Sequence, residues 1–441
     1  LPDLTNQCET ILPVENPALR DYLKIYQAID LDFLEQIQAA GLAVDVPAGR
    51  PAADKIKRLK SLGAIGRNAD KSLYSNWLSP ACAACRQGID SISLYLSLMC
   101  PRHCYYCFNP NQEAYSYYLA NQRDCIRELA ALYKANQKLK YIALTGGEPL
   151  LHHRETIEFF RYAKSNFKRV HTRLYTAGDL LDRPLLQQLQ ETQLDEIRFS
   201  IKLEDSAATI RQIYEHICWA KEYIPHVLVE MPVIPGSLQK MRHLLRDLDE
   251  LGVTGINLLE FCFPFHNAAE FRKRSFTIKN PPFQVLYNYR YAGGLPVSQS
   301  ETACLELIEF AIREKLRLGV HYCSLENKFT EQIYQQNSRH YKLFPLTYFS
   351  PHDFFLKTAK VFGDDIPTAL RELKSHKTSP YRLDKKYGYL EIPVQAVPRL
   401  KKLDLAIGLC SHIIENREGK PCLRELKVDV IRTGGFDIRQ L

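Results

Sequence analysis

The sequence predicts an α/β fold: a partial (β/α) barrel with a helical N-terminal extension before it and a C-terminal α+β region after it. Two observations carry this reading. Between residues 91 and 264, short strand-like stretches take turns with helix-length amphipathic ones, the pattern of repeated βαβ units and a parallel sheet. Ahead of them, residues 1–75 show helical spacing of apolar residues with helix-starting and helix-stopping signals.

In chain order, Asn16-Pro17 reads as a helix start, with Leu19, Leu23 and Tyr26 at helical spacing. A second helix is expected over residues 30–40, stopping at Gly41, and a third over 53–62, stopping at Gly63. The strands then follow: SISLYLSL, KYIALTG, VHTRLYTAG, EIRFSIKL, HVLVEMPVIPG and INLLEFCFP, with helices such as CIRELAALYKAN and IRQIYEHICWAKEY between them. Six such units favour a barrel or partial barrel over a flat open sheet. Past Pro264 come turn-rich stretches, a helix near residues 301–318 and the segment LGVHYCSLENK. In the last part, YGYLEIPV is strand-like and AIGLCSHIIENREGKPCLRELKVDVI reads as a hairpin turning at Glu418-Gly419. The expected divisions are 1–88, a helical extension ending in a Cys-x-x-Cys knuckle; 89–335, the barrel and the segment after it; and 336–441, the α+β region.

Composition narrows the class. With 46% hydrophobic and 24% charged residues the chain is of ordinary globular type, and no apolar run is long enough to span a bilayer. A net charge of +8 over 441 residues is scattered, with no continuous basic and aromatic face for nucleic acid. The opening stretch LPDLTNQCET has neither the basic nor the apolar part of a secretion signal, and the thirteen cysteines are an odd number. Reduced thiols or metal ligands in a cytoplasmic protein are therefore expected rather than a disulfide framework.

Three thiols are crowded into MCPRHCYYCFNPNQ: Cys100, Cys104 and Cys107, directly after the first strand of the series. That is the strand's C-terminal end, the face on which β/α barrels build their chemistry. Three thiolates from one loop suit a [4Fe–4S] cluster with one iron left open. A structural zinc would want a fourth ligand, and His103 between them is poorly placed to supply it.

Cys-x-x-x-Cys-x-x-Cys after a first barrel strand, with an aromatic before the last Cys, resembles the signature of the radical S-adenosylmethionine (radical SAM) superfamily. The next strand ends in Thr145-Gly146-Gly147-Glu148-Pro149, similar to that family's GGE motif, and SIKLED and MPVIPGS resemble its activating-enzyme and cofactor-biosynthesis branch. The resemblance covers residues 91–264. It implies SAM chelated at the open iron, with Gly146 and Gly147 allowing close approach and Glu148 accepting from the SAM ammonium. It also implies Lys202 on the SAM carboxylate, Ser200 at the ribose or carboxylate, and Tyr106 beside the adenine. Arg198 shares strand parity with Ser200 and Lys202 and could stand in for Lys202.

Cys82-x-x-Cys85 lies upstream, and with Cys323 it is the expected ligand set of a second, auxiliary iron–sulfur cluster, a structural zinc or plain thiols being the alternatives. The expected function is hydrogen abstraction from a peptide or protein by a 5′-deoxyadenosyl radical, with flavodoxin or ferredoxin as electron donor. The alternatives are a small-molecule or cofactor-biosynthesis reaction, and a non-catalytic metal or nucleic-acid-binding protein.

Overall fold

A computed structural model of the chain describes residues 14–46, 51–286, 294–375 and 380–441. The opening LPDLTNQCET stretch lies outside these residues. The helices that cover the parallel sheet begin where the sequence supplies caps. Asp124, Asp182 and Ser206 each accept a hydrogen bond from the backbone N–H three residues on, opening Cys125–Lys134, Arg183–Glu191 and Ala207–Tyr223.

The sheet has nine strands: β1 (Ile65–Arg67), β2 (Ser72–Ser75), β3 (Ser91–Tyr95), β4 (Tyr141–Thr145), β5 (His171–Thr176), β6 (Glu196–Phe199), β7 (His226–Val233), β8 (Gly255–Glu260) and β9 (Gly319–Cys323). Their order is β1-β2-β9-β8-β7-β6-β5-β4-β3. From β3 to β9 all pairings are parallel, and the β1–β2 hairpin adds antiparallel to β9. The sheet is open, with β1 and β3 at its edges. One face is apolar: Leu174, Ile197, Val229, Ile256 and Val320 join the core beneath the helices. The alternate positions carry polar groups, among them Arg173, Arg198, Glu230, Asn257 and His321, so period two sorts the core from the chemistry.

β3 to β8 are the six expected strands. The seventh parallel strand, β9, adds to them and lies in LGVHYCSLENK. The hairpin β1–β2 replaces the expected helical reading of residues 65–75, because Asn68, Ala69 and Asp70 take positive φ and reverse the chain. Residues 17–40, expected as two helices, form the single helix Pro17–Ala39, since no Gly or Pro interrupts them.

The described residues of 48–279 and 290–328 form one compact unit, which holds this sheet, and those of 1–47, 280–289 and 329–441 form another. The described part of the expected 1–88 extension is thus divided between the two. In the second unit, Leu356–Phe362 pairs with Tyr389–Ile392 on one side and Ala406–Arg417 on the other. Ala406–Arg417 and Lys420–Arg432 are the expected hairpin, with Glu418 and Gly419 at positive φ in its turn. Helix Pro17–Ala39, capped by Asn16, sets Leu19 and Leu23 against Phe362, Tyr389 and Val428.

Candidate active site

The C-terminal ends of β3 to β8 and the residue stretch after β9 surround one cavity of about 260 Å³. Cys100, Cys104 and Cys107 line it, together with Tyr106, Gly146, Gly147, Glu148, Ser200 and Lys202. The six residues that the resemblance assigned to SAM thus share one cavity with the three thiols. Burial pushes all three thiols above their ordinary range. Lys202 counters this at Cys104 with its positive charge. At Cys100 the backbone N–H of Arg102 donates to the sulfur at 3.4 Å.

The cysteine loop is held from three sides. The backbone N–H groups of Gly147 and Glu148 donate to the carbonyls of Ser97 (3.1 Å) and Met99 (2.8 Å). Asn109 Nδ2 donates to the Gly146 carbonyl at 2.9 Å. Arg102 reaches across to Asp179 and Asp205, after β5 and β6, donating to both carboxylates. From the stretch after β8, His266 Nε2 contacts the Cys107 carbonyl (2.7 Å) and Asn267 Nδ2 donates to the Tyr105 carbonyl (3.0 Å). Tyr105 and Tyr106 pack edge-on with Phe261.

The glycines have a steric reason beyond access. A Cβ on Gly147 would lie 1.9 Å from the Met99 carbonyl oxygen, and one on Gly146, whose φ is +110°, 2.4 Å from Tyr95 Cβ. They let two loops touch before any ligand arrives. Glu148 is likewise engaged: Oε1 accepts from Leu150 N and Thr176 Oγ1, and Oε2 from Ala177 N. Burial raises its pKa, and these three donors pull the other way. Oε2 retains one acceptor direction.

Arg198 is committed. Its guanidinium donates to Glu196, Glu230, Ser79 and the Cys82 sulfur, so it is not available to replace Lys202. β6 ends at Phe199, and Ser200 and Lys202 reach the cavity from the loop that follows. Cys82, on the short helix Pro80–Ala84, has its sulfur 3.3 Å from Arg198 Nη2 and 3.4 Å from Asn257 Nδ2. Burial alone would raise this thiol; Arg198 and His321 outweigh it and bring it down to about 6. Cys323 accepts from Asn327 Nδ2 at 3.3 Å. Cys82, Cys85 and Cys323 lie outside the cavity lining. The Arg198 guanidinium faces Cys82 and can form a buried ion pair with it.

Glu391, His412 and Glu425, in the other unit, do lie close enough to hold an ion. Lys360 already pairs with Glu425 (2.5 Å) and Arg382 with Glu391 (2.7 Å), so the carboxylates are compensated without one.

Residues 94–248 match the model of the Radical SAM superfamily. Residues 94–248 thus carry a radical SAM domain, the domain of a superfamily of enzymes that use a [4Fe–4S] cluster and SAM. A protein of Methanocaldococcus jannaschii named as a glycyl-radical enzyme activating enzyme is 28% identical over 262 residues, covering 58% of this chain and 66% of that protein's own length. Among solved structures, Streptococcus suis SuiB bound to precursor peptide SuiA is 11% identical with a TM-score of 0.39, covering 71% of this chain and 64% of that one. The anSMEcpe enzyme with bound AdoMet and Cp18Cys peptide is 17% identical with a TM-score of 0.32, covering 38% and 50%. No helix among the described residues is long and apolar enough to cross a membrane.

Two outcomes test these assignments. Gly147→Ala is expected to lower the iron retained after reconstitution even without SAM, since the clash is with Met99. Full iron with weakened SAM binding would restrict the glycine to ligand access. For Cys82, a folded pKa near 6 against an ordinary 9.0 adds stability that is complete above pH 9 and lost as pH falls through 6. The stability gap between metal-free wild type and Cys82→Ala, read by urea unfolding, should widen from pH 6 to pH 9. A constant gap would make Cys82 a neutral thiol.

Proposed function

We propose that this protein reductively cleaves SAM and takes a hydrogen atom from a peptide or protein substrate. The observation that carries the reading is the meeting of Cys100, Cys104 and Cys107 with the Gly146-Gly147-Glu148 segment, Ser200 and Lys202 around one cavity. When bound, the cluster and SAM supply one-electron cleavage of the sulfonium bond, giving methionine and a 5′-deoxyadenosyl radical.

The residues fit that chemistry. Three unpaired thiols from one short loop suit a cluster that keeps one iron open. Lys202 carries the positive charge a SAM carboxylate requires, and the remaining acceptor direction of Glu148 Oε2 suits its ammonium. Arg102 fixes the loops after β5 and β6 against the cysteine loop, so the cavity walls are set beforehand. Leu259 and Phe261 give the cavity an apolar wall, which suits a reaction that must be kept from water.

The relative named for glycyl-radical enzyme activation supports a peptide or protein as the substrate. An external one-electron donor of the flavodoxin or ferredoxin kind is required. A cytoplasmic location goes with this reading, which needs reduced thiols.

Two experiments test the reading. Wild type reconstituted anaerobically should form 5′-deoxyadenosine with dithionite, and Cys100→Ala, Cys104→Ala and Cys107→Ala should each abolish it. Product from the triple variant would sink the assignment. Lys202→Met should weaken SAM binding about tenfold to a hundredfold, from a charge-assisted hydrogen bond of ~1.5–3 kcal/mol, with unchanged iron. Glu148→Gln should lower thermal stability as well, because its carboxylate also ties down Leu150, Thr176 and Ala177.

A further inference from the structure

The cations around the cavity differ in one respect. Arg102 is paired with Asp179 and Asp205, Arg198 with Glu196 and Glu230, and Lys202 stands against Cys104. Lys328, after β9, lines the same cavity, yet among the described residues its ammonium has neither a hydrogen bond nor an ion pair. It rests over the ring of Phe108, 5.4 Å from the centroid, next to Cys107. A cation on an aromatic face is held more weakly than one in a charge-assisted hydrogen bond, so an entering anion would draw it from the ring.

Glu230 is the counterpart. Its Oε2 accepts from Arg198 Nη1 (2.5 Å) and Asn257 Nδ2 (2.7 Å), while Oε1 takes no hydrogen bond from any described residue. Glu230 lines the cavity, and the charges of Glu230 and Lys328 act on each other. The cavity therefore presents an unused donor and an unused acceptor of opposite charge.

We infer that Lys328 and Glu230 form a substrate subsite for a carboxylate carried beside an N–H donor, as on the last residue of a peptide or on a free amino acid. Lys328 takes the carboxylate and Glu230 Oε1 takes the N–H. Glu230 also disfavours a bare phosphate or a dianion, whose second charge would face its carboxylate. SAM itself carries a carboxylate and an ammonium, but its contacts are assigned to the cysteine loop, Glu148 and Lys202. The inference rests on the radical SAM reading and adds the substrate's chemistry to it.

The test is calorimetric titration of reconstituted protein saturated with SAM, with the cluster oxidised so that nothing turns over. Iron content and SAM binding, measured first on the same wild-type sample, test the parent reading separately. The probes are acetyl-triglycine, its C-terminal amide, glycine and inorganic phosphate. Acetyl-triglycine should bind tenfold to a hundredfold more tightly than its amide. Lys328→Met should erase that preference and Lys328→Arg should keep it. Glycine binding as tightly as the peptide would assign the subsite to a free amino acid, and weaker glycine binding to a peptide C-terminus. The proposal is overturned if acid and amide bind equally or not at all, if Lys328→Met keeps the preference, if phosphate binds more tightly than the acid, or if the peptide displaces SAM.

Discussion

The cavity depends on one close approach, that of Gly146-Gly147-Glu148 to the backbone of residues 97–99. Two amide-to-carbonyl hydrogen bonds fasten it, and no side chain larger than hydrogen fits at Gly147. From that contact the other walls follow. Glu148 turns its carboxylate to the backbone after β5, Asn109 returns to the Gly146 carbonyl, and Arg102 spans to the loops after β5 and β6. Four successive strand ends are thereby joined before any cofactor is considered. The motif that reads as a ligand-binding sequence is first a packing device.

Behind the cavity, the polar face of the sheet stays charged because its charges are matched. Arg198 is almost fully buried, yet Glu196, Glu230 and the Cys82 sulfur surround it. A buried cation without such partners would be costly, and removing one partner leaves the others uncompensated. The same matching exposes the exception. Glu230 uses one oxygen in the network, while Lys328 rests on the Phe108 ring with no hydrogen bond or ion pair among the described residues.

Much of this was legible in the sequence where the signal is local. The cysteine spacing and the GGEP stretch each occupy a few residues, and six strands announced themselves by period two between helices with capping residues. What escaped was non-local or ambiguous. β9 is a five-residue stretch beside a turn, and β1–β2 is set by three left-handed residues inside an otherwise helix-compatible region. Arg198 looked free because parity reports which face a side chain shares and nothing about its partners. Glu196, Arg198 and Glu230, charges at alternate positions of otherwise apolar strands, were the available sign of a polar inner face. Cys82 and Cys85 have the spacing of a metal knuckle, but the guanidinium beside Cys82 comes from a strand more than a hundred residues away, 116 positions on in the sequence. Lys328 and Phe108 meet only through the fold.

The central claim is that three cysteines hold a cluster whose remaining iron is open to SAM. Mössbauer spectroscopy of protein reconstituted with iron-57 tests it most directly. Adding SAM should move the signal of a single iron site towards higher coordination and leave the other sites of the cluster unchanged. A spectrum that stays the same at saturating SAM, or one that shifts at every site alike, would contradict the account.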